Sequence, residues 1–265
     1  MLCQTSDRAV SKTGSVQSKS TRRDGDVSDL TGRTVVLIGG ATGIGYAVGE
    51  KVVGAGGSVV LGGRTSSTLE KASDALGVRA TWQVVDTSSP ASVEDFFAEL
   101  DSVHGLFTTA ATYVTGSLRE LSEADAASAF ESKFWGQYRV VKAAVNTLTS
   151  DASIVLMAGA ASVRPPGAAP AYVAANAAIE GLGRGLAVEL APIRVNSVSP
   201  GTIDGHLWRS RPDDVRIPAF EQFASATTLG RVGVESEVAD AVVYLLSSGY
   251  TTGSTLYPDG GYALR

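Results

Sequence analysis

From Thr34 onward the chain alternates short, continuous apolar runs with stretches of helical period, and few folds accommodate that alternation. Val35-Val36-Leu37-Ile38 has the pattern of a strand buried on both faces, and Val48, Val52 and Val53 follow at helical spacing. Ser58-Val59-Val60-Leu61 repeats the pattern, with Leu69, Ala72 and Leu76 along one helix face. Further strands are expected at Trp82-Gln83-Val84-Val85, Leu106-Phe107, Ile154-Val155-Leu156-Met157, Ile193-Arg194-Val195 and Thr255-Leu256-Tyr257. Pro90 opens a helix running to Leu100, and helices are expected over about 122–148, 171–190 and 235–247. Such regular alternation predicts parallel βαβ units, and so an α/β doubly wound parallel sheet in one domain over residues 29–265.

Residues 1–28 depart from this pattern. They carry five basic and three acidic side chains and almost no apolar ones, so a disordered tail is expected there. The formal charge of the chain, −5, argues against a nucleic-acid or anionic-membrane partner. No run of eighteen apolar residues is present to span a membrane. Cys3 is the only cysteine, and His104 and His206 lack ligand-like spacing, so neither an internal disulfide nor a metal site is expected. A reducing, cytoplasmic location fits these features.

Directly after the first strand comes Gly39-Gly40-Ala41-Thr42-Gly43-Ile44-Gly45, and then a helix. Glycines in that position permit a tight turn and let a pyrophosphate approach the backbone, where a helix N-terminus offers unpaired N–H groups. The end of the second strand reports on the ribose. An acid there would accept from the 2′-hydroxyl of NAD, but this chain reads Leu61-Gly62-Gly63-Arg64. Arg64 suits the 2′-phosphate of NADP(H), the other reading being a solvated surface arginine. Asp86, ending the third strand, is placed to meet the adenine edge.

With Tyr172 in Ala171-Tyr172-Val173-Ala174-Ala175-Asn176, the segment Arg194-Val195-Asn196-Ser197-Val198-Ser199-Pro200-Gly201 and the ending Asp259-Gly260-Gly261, the chain resembles the short-chain dehydrogenase/reductase family over about residues 31–265. The resemblance implies a Rossmann-type sheet of seven strands, a small-molecule substrate and a homotetramer or homodimer. It also implies NADP(H), preferred over NAD(H), bound by Gly39, Gly43, Ile44, Gly45, Arg64, Asp86, Thr87, Ala110, Tyr172, Asn176, Pro200, Gly201 and Ile203.

The family's catalytic set is Asn, Ser, Tyr and Lys, with Tyr exchanging the proton, Lys lowering its pKa, Ser orienting the carbonyl and Asn anchoring a water. Here Tyr172 stands, while Asn176 holds the Lys position, Gly159 the Ser position and Lys133 the Asn position. Thr108-Thr109-Ala110-Ala111 replaces Asn-Asn-Ala-Gly, and Gly205 replaces the Thr that follows Pro200, Gly201 and Ile203. A free phenol has a pKa near ~10, and a neighbouring ammonium brings it toward neutrality. Asn176 carries no charge, but Lys133 and Asn176 look like an exchange of partners: an inward Lys133 would reach Tyr172, whereas an outward one is a solvated helix lysine. Ser162 would polarise a carbonyl in place of the missing Ser, or merely cap its loop. Tyr172, Lys133 and Ser162 are thus the catalytic candidates.

Further candidates lie on loops at the carboxyl ends of strands. They are Tyr113, the wall Arg164-Pro165-Pro166-Gly167, and His206-Leu207-Trp208 at about 204–226, where the resemblance implies a mobile substrate lid, with a local basic pocket from Arg164 and Arg209 also open. Small residues between Ala174 and Gly185 would allow close helix packing between subunits. The expected activity is NADPH-dependent reduction of a carbonyl or imine. The alternatives are a non-redox, cyclase-like catalyst and a dinucleotide-responsive binding protein on the same fold.

Overall fold

The computed structural model describes residues 29–265; the expected tail at 1–28 lies outside the described residues. The first half runs β1 (Thr34–Ile38), α1 (Gly43–Gly54), β2 (Ser58–Gly63), α2 (Ser66–Leu76), β3 (Ala80–Val84) and α3 (Pro90–Ala98). Then come β4 (Val103–Thr108), α4 (Glu123–Ala129), a π-helical segment (Phe130–Trp135), α5 (Gly136–Ala144), β5 (Leu148–Met157), α6 (Pro170–Glu189) and β6 (Arg194–Val198). A small parallel pair, β7 (Ile203–Asp204) with β8 (Gly233–Val234), brackets α7 (His206–Arg209) and α8 (Asp213–Ala226). The chain closes with α9 (Glu235–Ser247) and β9 (Thr255–Leu256).

Seven strands form one parallel sheet in the order β3-β2-β1-β4-β5-β6-β9. The winding reverses between β1 and β4, and the crevice outside the carboxyl ends of the strands opens there. Successive side chains of a strand point to opposite faces, so each central strand feeds two cores. Val35, Leu37, Val59, Leu61 and Phe107 pack with Val48, Val52, Val238 and Val242 of α1 and α9. Val36, Ile38, Leu106, Ile154 and Leu156 pack on the other face with Phe96, Val140, Val141 and Ile179 of α3, α5 and α6.

One expected helix, 122–148, differs in two respects. It is interrupted by the π segment, and it stops at Ala144 because the chain is drawn into the sheet: Val103 N–H donates to Thr147 O at 2.9 Å, and Leu148 pairs with Val103. The side chain of Gln137 is buried and clamps Met157, donating to its carbonyl and accepting from its N–H, both at 2.9 Å. The small residues of α6 divide between two faces. Ala175 and Gly183 lie against the sheet, where a Cβ at Gly183 would fall 2.6 Å from Ser197 Oγ, while Ala174, Ala177, Gly181 and Gly185 are exposed.

Candidate active site

The glycine loop follows β1 at the switch point. Gly39 (φ +85°) and Gly43 (φ +59°) adopt left-handed conformations that other residues rarely tolerate. A Cβ at Gly39 would lie 2.5 Å from Thr109 Oγ1 and 2.9 Å from Ala110 N, and one at Gly45 would overlap the Gly39 carbonyl oxygen. These glycines let β1, α1 and the loop after β4 meet, leaving a backbone cradle at the N-terminus of α1 that fits a pyrophosphate. Ile44 anchors the loop in the core, as Ile203 anchors the later segment.

Sequence reasoning missed Glu235 at this loop. Its Oε1 accepts from His206 N at 2.7 Å and would sit 3.1 Å from a Cβ on Gly43. The space is open because Gly205 has no side chain: a Cβ there would fall 2.7 Å from Glu235 Cγ. A cavity of about 400 Å³ beside the loop is lined by Thr42, Gly43, Tyr46, Lys71, His206 and Glu235, among others.

Arg64, at the end of β2, is exposed, with its guanidinium 3.4 Å from Thr112 Oγ1. The Asp86 carboxylate accepts from Ser88 N at 2.9 Å and Ser88 Oγ at 2.7 Å. Those two bonds, with the nearby Arg64 charge, hold its carboxyl below the usual range against the opposing pull of burial. The Thr87 carbonyl accepts a long bond from Arg139 at 3.4 Å. Pro200 O accepts from Ala160 N at 2.9 Å, and Gly201 packs so closely on Asp259 that a Cβ would lie 3.0 Å from its Cα. The residues present thus fit a dinucleotide along the carboxyl ends of β1, β2 and β4.

Lys133 points inward from the π segment and is 5 % exposed. Its Nζ donates to Asn176 Oδ1 at 2.6 Å and to Ala158 O at 3.0 Å, and lies 5.2 Å from the centre of the Tyr172 ring. Asn176 Nδ2 donates in turn to Tyr172 O at 2.7 Å. Burial pushes the Tyr172 phenol up, but the Lys133 charge and hydrogen bonding with Tyr113 and Asn176 outweigh it and leave the group below the ordinary tyrosine value. Burial pulls Lys133 below the usual lysine range, with Tyr172 opposing. A Cβ on Gly159 would sit 3.3 Å from the Tyr172 hydroxyl, so the position that resembles the family's Ser faces Tyr172 but brings no donor.

Other candidates are engaged elsewhere. The Ser162 hydroxyl donates to Glu180 Oε1 at 2.5 Å, so its proton is committed away from any carbonyl. Glu180 is buried and also accepts from Ser199 at 2.7 Å and Tyr257 at 3.0 Å, a cluster the sequence signalled only as scattered hydroxyls. No basic pocket forms from Arg164 and Arg209. Arg164 ties Ala226 O and Tyr262 O at 2.8 and 2.7 Å and stacks on the Tyr262 ring, while Arg209 pairs with Asp204 at 3.0 Å. The segment expected as a lid is built from α7 and α8, with Trp208 packed on Phe220 and Phe223 and covered by Arg211.

A family model described as enoyl-(acyl carrier protein) reductase matches residues 39–263. The 3-oxoacyl-(acyl-carrier-protein) reductase FabG of Chlamydia trachomatis serovar D is 28 % identical over 248 residues, covering 88 % of this chain and 98 % of its own. The solved MalC reductase/Diels-Alderase from Malbranchea aurantiaca superposes with a TM-score of 0.83 at 26 % identity, over 90 % of this chain and 99 % of its own. An NADPH-bound short chain oxidoreductase from Pseudomonas aeruginosa PAO1, described as containing an atypical catalytic center, gives 0.82 at 30 % identity, over 88 % and 97 %. Sheet order, glycine loop and these relatives agree: the chain belongs to the short-chain dehydrogenase/reductase family, whose named relatives here support a general reductase role.

Proposed function

We propose that the chain is an NADP(H)-dependent reductase of a carbonyl or imine in a small organic substrate, with Tyr172 as proton donor and Lys133 as the charge beside it. The observation that carries this reading is the buried Lys133 amine, its Nζ 2.6 Å from Asn176 Oδ1 and 5.2 Å from the Tyr172 ring centre. A positive charge at that range stabilises the phenolate, so the phenol releases its proton more readily. Lys133 and Asn176 thereby exchange the duties that the family pattern gives to the opposite positions. Asn176 orients the Lys133 Nζ through Oδ1, is itself fixed by donating to Tyr172 O, and would lie beside the ribose. The glycine loop would hold the pyrophosphate, Arg64 the 2′-phosphate and Asp86 the adenine. A bound reduced nicotinamide supplies the hydride. Tyr172 would give its O–H proton to the substrate oxygen or nitrogen, with Lys133 beside it to stabilise the phenolate that remains.

The test is fluorescence titration with NADPH and NADH, then a panel of ketones, quinones and imines followed at 340 nm. NADPH is expected to bind more tightly, with turnover lost in Tyr172→Phe and strongly reduced in Lys133→Met. Product formed without NADPH consumption would transfer the site to the non-redox reading, and absence of binding would overturn the cofactor assignment. The exposed Ala174, Ala177, Gly181 and Gly185, beside a groove of Val141, Val145, Leu182 and Leu186, support a homo-oligomer, which size-exclusion chromatography tests. The acidic, nearly cysteine-free composition accords with a cytoplasmic home.

A further inference from the structure

We propose that Tyr113 is a positioning residue for Tyr172, donating a hydrogen bond to the Tyr172 oxygen and steadying the phenolate that remains once the proton has left. The inference rests on the reading of Tyr172 as proton donor. Tyr113 comes from the loop after β4, whereas Tyr172 comes from the first turn of α6, yet their rings stack at 5.0 Å between centres and 23° between planes. The Lys133 ammonium reaches both, 5.2 Å from the Tyr172 ring centre and 5.7 Å from that of Tyr113. Three elements thus converge on one phenol: the π segment with its charge, α6 with Asn176, and the β4 loop with a second hydroxyl. The fourth side, the turn after β5, presents Gly159 and no donor.

The charged and titratable groups facing Tyr113 are Lys133, Tyr172 and, from the segment between α7 and α8, Arg211. Burial, reinforced by the neighbouring Tyr172, holds the Tyr113 proton on well above the ordinary tyrosine range, against the smaller pull of Arg211. Tyr113 therefore stays a donor through the range in which Tyr172 ionises. The step balances simply. The Tyr172 O–H bond breaks, its proton forms a bond to the substrate oxygen or nitrogen, and the electron pair stays on the Tyr172 oxygen. Tyr113 keeps its own proton, neither phenol changes oxidation state, and the reductant is the reduced nicotinamide of the proposed reaction. Water restores the Tyr172 proton afterwards.

The test needs neither cofactor nor substrate. Phenolate absorbance at 295 nm is titrated on the full chain, and the Tyr172 signal is isolated by subtracting Tyr172→Phe from the parent, in the wild-type and Tyr113→Phe backgrounds. Phe retains the stacked ring, and matching thermal melts show that only the hydroxyl has been removed. The Tyr172 midpoint is expected to rise by about one pH unit in Tyr113→Phe, the scale of one hydrogen bond to a charged group. An unchanged or lowered midpoint would overturn the proposal and leave the stack as a wall of the site. Lys133→Met separates the two ideas: a midpoint that is ordinary in wild type and unmoved by that change would sink the proton-donor reading itself.

Discussion

Exchanging Lys133 and Asn176 tests the centre of the site through stability alone. Lys133→Asn withdraws the donor from two buried acceptors, Asn176 Oδ1 at 2.6 Å and Ala158 O at 3.0 Å. A hydrogen bond to a charged group is worth about 1.5–3 kcal/mol, and the shortened side chain leaves a gap, so a loss of about 3 kcal/mol is expected. Asn176→Lys alone places a second ammonium where the amide oxygen stood. Two unit charges about 3 Å apart repel by about 5 kcal/mol at an effective dielectric of about 20. Either the fold loses that much or one amine gives up its proton. The double variant, Lys133→Asn with Asn176→Lys, again holds one ammonium and one amide, so the repulsion disappears and its cost is expected to fall short of the summed single costs by at least about 5 kcal/mol. Urea unfolding followed by tryptophan fluorescence measures all four corners. Because a domain has only about 5–15 kcal/mol in hand, Asn176→Lys will sit near unfolding. The comparison of the double variant with Lys133→Asn then decides alone: a double variant no more stable than Lys133→Asn would refute the exchange.

Gly45→Ala is expected to destabilise by about 1–3 kcal/mol, because its Cβ overlaps the Gly39 carbonyl, and to abolish dinucleotide binding; a thermal melt and an NADPH titration check both. Arg64→Ala should weaken NADPH by about 10–100-fold while leaving NADH unchanged, since only the former carries the 2′-phosphate. Glu235→Gln keeps the acceptor for His206 but removes a carboxylate from the phosphate loop, so NADPH should bind several-fold more tightly, and the gain should shrink as salt is added. Glu237 receives Arg231 through two bonds of 2.6 and 2.9 Å and also Val234 N–H, which hold its carboxyl at about 2 against an ordinary 4.5. A depressed carboxyl contributes stability that is present above the ordinary value and lost as pH falls from 4.5 toward 2. The urea midpoint should therefore decline across that window, and decline less in Glu237→Gln.

The central strands were legible because they are apolar on both faces. β1 and the buried second half of β5 have no solvent side, so their runs are continuous and need no periodic analysis. At the sheet edge that signal weakens: β3 begins at Ala80, before the expected Trp82, and its Trp82 and Val84 are 36 % and 46 % exposed. The glycine loop was legible for a different reason. Each of its glycines answers a steric demand, at Thr109, Ala110 or the Gly39 carbonyl, and such demands appear in sequence as glycine and nothing else.

The polar half of the site was not legible in the same way, and the π segment shows why. Hydrophobic period reports burial only where apolar side chains do the burying. On the helix from Glu123 to Ala144 two inward positions are Lys133 and Gln137, which a period analysis assigns to solvent. What makes their burial tolerable is a set of partners remote in sequence: Met157 for Gln137, and Ala158 and Asn176 for Lys133. The same limit applies to Glu235, whose partner His206 lies in another element, and to Ser162, whose hydroxyl turns to Glu180. A buried charge costs several kcal/mol unless it is paired, so its partner is as informative as the charge. Here the partner of Lys133 is 43 residues away, and only the two departures from the family pattern, read together, pointed to it. A lysine gained at one position beside an asparagine gained at the other is therefore a stronger sign of a working site than either change is of a lost one.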